Sequence, residues 1–300
     1  MNVTAAEIER PKVIGFRERI AAFSELTKPR IAVMLVLTAA AGFYLGTKGS
    51  LDVVLFANSM IGIALLAFGV ATLNQYIERR TDVLMRRTAN RPLPTGRVTP
   101  NEALVFGVLQ CLVSEIYLYF LVNPLTAYLG MTVIVGYVLL YTPLKTRTSA
   151  STAIGAIPGA MPPLMGWTSS ADEITLGAWA LFTMLFLWQF PHFLAIAWMY
   201  RDEYAKAGIK MLPVVEPSGR LTARQIVLFT IMLVPTSLAP FFLGFAGPFF
   251  LVGATLLGIW FLVESIRTAR AKTPLKARRL LMVSVIYLPL IFALAVLDHR

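Results

Sequence analysis

Apolar residues in this chain do not alternate with polar ones; they run. Stretches of about 20 residues with few charges recur from end to end, each long enough to cross a bilayer as a helix. Nine are predicted, at 31–47, 53–73, 102–122, 125–141, 151–167, 176–198, 223–243, 246–265 and 280–297. Polar residues gather in the connections, two of which are long, at about 77–101 and 200–222. Both long loops open with acidic and basic residues, one after span two and the other after span six. The pattern predicts an all-α integral membrane protein of nine transmembrane helices, two four-helix units plus one. Residues 27–300 are expected to form one transmembrane domain, preceded by a tail, 1–26. In that tail "VIGFRERIAAF" places Ile14, Phe16, Ile20 and Phe23 as a short interfacial helix would, an ordinary polar leader being the alternative. The run "GAIPGAMPPLMGW", 155–167, predicts a bent fifth helix in close contact with its neighbours.

Composition strengthens this picture. The chain is 57% hydrophobic and only 14% charged, with a mean hydropathy of +0.70, where soluble domains carry about 25% charged residues. A net charge of +11 raises nucleic acid as a partner, but its distribution points elsewhere. Every Lys and Arg except Lys48 and Arg300 falls before span one, in the loops after spans two, four, six and eight, or, for Arg224, at the start of span seven next to the loop after span six. Positive charge marks the cytoplasmic side, so the amino terminus is expected in the cytoplasm and the carboxyl terminus outside. The single cysteine, Cys111, excludes an intrachain disulfide or a cysteine metal cluster. No cleaved signal peptide is expected, since the first apolar run starts near residue 31 after a charged tail, and no transit sequence, since the tail is short and carries Glu7, Glu9, Glu18 and Glu25. A bacterial or archaeal plasma membrane is the expected location.

Candidate chemistry concentrates where span two ends, in "ATLNQYIERRTDVLMRRTANRPLPTG", 71–96. Loops longer than about 12–15 residues are usually functional or disordered, and the low complexity of disorder is missing here. Asn74, Glu78 and Asp82 are spaced i, i+4, i+8 and share one face of a continuing helix. Three stacked oxygen donors suit Mg²⁺, which also takes waters and phosphate oxygens. The arginines that follow would neutralise the same phosphates. Stripe and arginines together read as a diphosphate site at the cytoplasmic mouth of a membrane cavity. A solvated helix end, with Glu78 and Asp82 paired to nearby arginines, fits the same pattern. In the second loop "YRDEYAKAGIKMLP" offers Asp202 as one more metal ligand, with Lys206 and Lys210 as cations. Tyr141 and Lys145 lie one turn apart at the end of span four, as part of the same pocket or, for Tyr141, as an interfacial anchor. Within span six, "LFLWQFPHFLAIAW" brings Trp188, Gln189 and His192 together beside Pro191. Polar groups are costly in lipid, so His192 is either a ligand or proton-transfer group or a partner for a neighbouring helix. Glu115 and Asn123 are left to packing or interhelical hydrogen bonds. No Walker or glycine-rich phosphate fingerprint occurs.

These residues resemble the UbiA-type intramembrane prenyltransferase superfamily from about Thr27 to Leu297. The likeness rests on Asn74-xxx-Glu78-xxx-Asp82, on "RTANRPLPTG" from Arg87, and on Tyr141-xxx-Lys145. Within it, "WQFPHF" (188–193) and "RDEYAKAGIKMLPVV" (201–215) are similar to the heme O synthase family. Lys206 stands where quinone-type members carry a second Asp, which leaves open whether a second Mg²⁺ binds. The resemblance implies transfer of a farnesyl group from farnesyl diphosphate to a heme b vinyl group, with addition of water. Mg²⁺ would sit on Asn74, Glu78, Asp82 and Asp202, and Arg87, Arg91, Lys145 and Lys206 would hold the diphosphate. Tyr141 would shield the allylic cation, and His192, with Trp188 and Gln189, would contact heme. It also raises a heme A synthase or terminal-oxidase assembly partner and a homo-oligomer. Other readings are a quinone-precursor prenyltransferase, argued against by Lys206 and the span-six cluster, and a heme carrier, argued against by the oxygen stripe. A transporter would place its ionisable groups nearer mid-membrane.

Overall fold

The computed structural model describes residues 14–300; the start of the tail, with Glu7, Glu9, Arg10 and Lys12, lies outside them. Helices follow in the order α1 (Phe16–Leu26), α2 (Pro29–Gly46), α3 (Val53–Asp82), α4 (Pro100–Leu121) and α5 (Pro124–Ile134). A π-helical turn, Val135–Tyr141, then leads into the short α6 (Thr142–Leu144). Next come α7 (Ser151–Gly159), α8 (Met161–Ala171), α9 (Leu176–Met199), α10 (Arg201–Lys206) and α11 (Leu212–Val215). The chain ends with α12 (Arg220–Thr236), α13 (Ala239–Phe242), α14 (Pro248–Ala271) and α15 (Pro274–Leu297). Local chemistry sets many of these boundaries. Asp52 caps α3 by accepting from the Leu55 N–H, and Thr99 and Glu102 close a capping box on α4. Thr175 and Thr273 cap α9 and α15 in the same way.

Among the described residues, eight helical segments are long and apolar enough to cross a membrane, and the protein is a multi-pass membrane protein. At the expected fifth span the bend takes the form of a break. In place of one long helix, 151–171 is two shorter ones, α7 and α8, divided at Ala160. Pro158 and the Pro162–Pro163 pair remove backbone donors on both sides of that residue. The Gly and Pro content serves close packing: a Cβ on Gly42 would stand 2.1 Å from the Pro163 carbonyl oxygen, and one on Gly166 would be 1.9 Å from that of Ala39. α2 and α8 therefore meet backbone to backbone, as small residues permit in helices that share a lipid environment.

Packing around this pair arranges the rest. α3 lies along α4, α9 packs on α12 and α15, and α14 lies between α12 and α15. Buried polar groups join helices across these seams. Ser114 donates to the Gly62 carbonyl, and the Thr230 and Ser265 hydroxyls meet at 2.9 Å. Asn123 caps α5 through Thr126 N–H and donates to the Thr168 carbonyl at 2.8 Å. Glu115 is half-buried against Gly130, and its Oε1 has no hydrogen-bond partner among the described residues. The tail helix α1 rests against α4 through Phe23 and Phe106, ring centroids 5.1 Å apart, while Phe16 and Ile20 stay exposed.

Candidate active site

The site is built where α3 runs on past its apolar stretch. α3 is unbroken for 30 residues to Asp82, so Asn74, Glu78 and Asp82 stack on one face as their spacing predicts. All three line one cavity of about 150 Å³. The first long loop brings Arg87, Thr88 and Arg91 to it, the π-helical turn brings Tyr137 and Tyr141, and Lys145 follows from just beyond α6. Phe193 and Ile196 of α9 form the apolar wall, and Tyr204, Ile209 and Met211 close it from the second long loop.

Each oxygen donor on the stripe faces its own cation. Lys28 Nζ donates to Asn74 Oδ1 at 2.7 Å and Lys145 Nζ to Glu78 Oε1 at 2.6 Å. Arg91 Nη1 lies 2.8 Å from both Asp82 oxygens, and the Asp82 side chain is fully buried. The two lysines respond differently to burial. Burial and the nearby Arg91 pull the Lys28 ammonium down to about 7, because its direct partner is a neutral amide. Burial opposes the Lys145 charge too, yet the Glu78 carboxylate outweighs it and holds Lys145 well above its ordinary value. Aromatic faces complete the ring of cations. Lys145 Nζ lies 4.4 Å from the Tyr141 ring centre, and Tyr137 meets Tyr141 edge to face at 4.9 Å. Arg87 donates to the Tyr204 hydroxyl at 3.1 Å, with its guanidinium 5.0 Å from the centre of the Tyr200 ring.

The donor set suits a hard divalent cation: one amide and two carboxylate side chains on one wall of a cavity that Lys28, Arg87, Arg91 and Lys145 also line. A diphosphate has the charge to draw those cations away from the carboxylates while a metal takes their place. The cavity has room for a diphosphate head group and no more, since ligand sites for whole cofactors run to about 300–1,000 Å³. A larger hollow of about 460 Å³ lies between α1 and α4, but it is lined mainly by Phe16, Ile20, Phe23 and Phe106 and lacks a stripe of oxygen donors.

Not every expected residue arrives. Asp202 is 87% exposed and sits beside Arg201 at 3.5 Å, and Lys206 is exposed on the same short helix; neither lines the cavity. The reason is the break at Tyr200 (φ −111°, ψ 20°), which ends α9 and makes α10 a separate helix. Trp188, Gln189 and His192 lie deeper in α9, outside the cavity lining. Gln189 donates to the Ala156 carbonyl at 2.9 Å, toward α7. Trp188 and His192 turn toward α15, stacked at 4.4 Å, with Trp188 Nε1 donating to the Ser284 carbonyl. His192 Nδ1 lies 2.8 Å from Ser284 Oγ. Because that hydroxyl gives its proton to the Leu281 carbonyl, Nδ1 carries hydrogen and Nε2 keeps a free lone pair. Sequence reasoning missed Lys28, Tyr137 and Tyr204. Only Lys28 left a signal, a cation directly before Pro29 at the start of the first span.

Residues 35–289 match the model of the UbiA prenyltransferase family. The protoheme IX farnesyltransferase of Solibacter usitatus is 47% identical over 286 residues, covering 92% of this chain and 98% of that one. The protein of the same name from Koribacter versatilis is 44% identical, covering 92% and 93%. Among solved structures, one from work on digeranylgeranylglyceryl phosphate synthase in membranes superposes with a TM-score of 0.80 at 14% identity, over 94% of this chain and 98% of that one. A UbiA homolog from Archaeoglobus fulgidus bound to GPP and Mg²⁺ gives 0.67 at 17% identity, over 91% and 99%. The fold, the oxygen stripe with its cations and the full-length likeness agree, and the chain belongs to the UbiA prenyltransferase family.

Proposed function

We propose that this protein is a heme O synthase: it transfers the farnesyl group of farnesyl diphosphate to a vinyl group of heme b. Water completes the hydroxyethylfarnesyl side chain, and diphosphate leaves. The observation that carries the reading is the cavity in which Asn74, Glu78 and Asp82 each face a cation. The names of its full-length relatives give the acceptor and the prenyl donor's class.

Asn74, Glu78 and Asp82 would hold Mg²⁺, which supplies charge neutralisation of the diphosphate. Lys28, Arg87, Arg91 and Lys145 then bind the phosphate oxygens and stabilise the charge that builds on the leaving group. Tyr141, with Tyr137 against it, turns aromatic surface toward the carbon that becomes cationic. Phe193 and Ile196 keep water from that carbon on the α9 side. The prenyl chain and heme need more space than the cavity offers, so α9 and the π-helical turn separate when they enter. His192 serves heme through its free Nε2, its tautomer fixed by Ser284 as metal-ligating imidazoles are commonly fixed by a hydrogen bond at the other nitrogen. In the membrane, α7 and α8 cross together as the fifth of nine spans. The amino terminus and the site face the cytoplasm of a cell membrane, and α1 lies along that surface.

The test is turnover by purified, detergent-solubilised protein given heme b and farnesyl diphosphate, with and without Mg²⁺, the product identified by mass. Metal-dependent heme O from the wild type, absent with Glu78→Gln, is the expected result. Heme binding without product would instead make the protein a heme carrier, and product only from an aromatic quinone precursor would change the acceptor.

A further inference from the structure

We infer that Thr142 is a positioning residue: it decides which end of the Asn74 amide faces the cavity. The inference rests on the metal–diphosphate reading of the site. An asparagine in a metal stripe carries a hazard that an aspartate lacks. One end of its side chain is a metal-binding oxygen, and the other is an NH₂ group that presents hydrogens to a cation. Something must hold the oxygen inward.

The hydrogen bonds around Thr142 admit one arrangement. Its hydroxyl lies 2.8 Å from the Tyr137 carbonyl, which can only accept, so the hydroxyl proton goes there. The hydroxyl oxygen is left as an acceptor, and the group facing it, 3.2 Å away, must be a donor: Asn74 Nδ2. At the other end of the amide, the Lys28 amino group donates to the atom 2.7 Å from it, which is Oδ1. The two assignments are independent and agree. Thr142 and Asn74 are both buried, at 3% and 1% exposure, so water does not compete for these bonds.

The π-helical turn makes the arrangement possible. In an α-helix a threonine hydroxyl turns back to the carbonyl three or four residues earlier. Here the Thr142 N–H and hydroxyl both reach the carbonyl of Tyr137, five residues back. One carbonyl therefore takes up both donors of Thr142 and leaves the hydroxyl oxygen free for Asn74. π-Turns occur often at functional sites, and this one ties the Tyr141–Lys145 segment to Asn74 through Thr142, beside the Lys145 contact to Glu78. Thr142 acts through Asn74 and touches neither substrate nor metal.

Mn²⁺ binding tests this without turnover. Full-length, detergent-solubilised protein is titrated with Mn²⁺ in the presence of inorganic diphosphate, and free Mn²⁺ is read by electron paramagnetic resonance. Removing a hydrogen-bond partner of a metal ligand weakens metal binding about tenfold to a hundredfold, and Thr142→Val is expected in that range. Thr142→Ser, which keeps the hydroxyl, is expected to bind as the wild type does. In an Asn74→Asp background the same Thr142→Val change is expected to cost nothing further, because either carboxylate oxygen serves. The inference is overturned if Thr142→Val binds Mn²⁺ as tightly as the wild type, if Thr142→Ser loses affinity equally, or if the penalty persists unchanged beside Asp at position 74. Each of those results leaves the metal–diphosphate reading standing. A wild type that binds no Mn²⁺ removes that reading, and the role of Thr142 with it.

Discussion

The ends of α3 and α9 look alike in sequence and differ in what they build. Both are apolar helices that give way to acidic and basic residues at four-residue spacing. α3 continues as one helix through that change, so the spacing becomes a physical stripe, and its side chains enter the cavity. α9 stops at Met199, and α10 begins afresh after Tyr200. Asp202 and Lys206 keep their helical spacing relative to each other but continue no face of α9, and both stay in solvent. Spacing carries chemistry only while the helix is unbroken. The second loop still reaches the site by other means: the Tyr204 hydroxyl on Arg87, the apolar Ile209 and Met211, and a hydrogen bond from the Lys210 N–H to the Lys145 carbonyl at 2.8 Å.

If burial separates the two loops, substitutions in the first must hurt most. Arg91→Met leaves the fully buried Asp82 carboxylate without its guanidinium, and breaking one side of a buried pair costs about 3–5 kcal/mol. It is expected to lower the thermal midpoint in detergent and to abolish turnover together. Lys145→Met removes a charge stabiliser for the leaving diphosphate. Loss of such a group typically lowers kcat on the order of a hundredfold to a thousandfold, which single-turnover measurements on farnesyl diphosphate would read. A Lys145→Met protein with wild-type kcat would place the leaving group elsewhere. Tyr204→Phe tests one of the second loop's links to the site. It removes one hydrogen bond, worth about 1 kcal/mol, and is expected to raise the KM for farnesyl diphosphate several-fold with kcat nearly unchanged.

The same contrast explains what was legible in the sequence. Apolar runs located the membrane helices because lipid forces each helix to satisfy its own backbone. The stripe, Arg87, Arg91, Tyr141 and Lys145 were legible because their spacing is local and lies within, or directly follows, continuous helix. Lys28 left only the signal of a cation before Pro29, and its role was hidden: its partner Asn74 lies 46 residues away, and its side chain is aimed by a left-handed backbone (φ 49°) that a lysine rarely adopts. Tyr137 was hidden because it sits among apolar residues, inside a π-helical turn that no spacing rule anticipates. The break at Ala160 was legible only as a tendency to bend, since proline and glycine mark a weak point without saying whether packing will straighten it or use it.

The smallest expected effect is the sharpest test of the comparison. Asp202→Asn combined with Lys206→Gln changes two exposed side chains, and exposed substitutions away from a site usually alter free energies by no more than about 0.5 kcal/mol. Turnover and KM are therefore expected to stay within about twofold of the wild type, with the thermal midpoint unchanged. Measured beside Glu78→Gln, which should abolish metal-dependent turnover, the pair separates a stripe that is used from a spacing that is only shared. A tenfold fall in turnover with an intact thermal midpoint would break the comparison. It would mean that α10 swings toward the cavity when farnesyl diphosphate enters, bringing Asp202 to the metal beside Glu78 and Asp82. The break at Tyr200 would then be a hinge, and the two loops would differ in when they bind and not in whether they do.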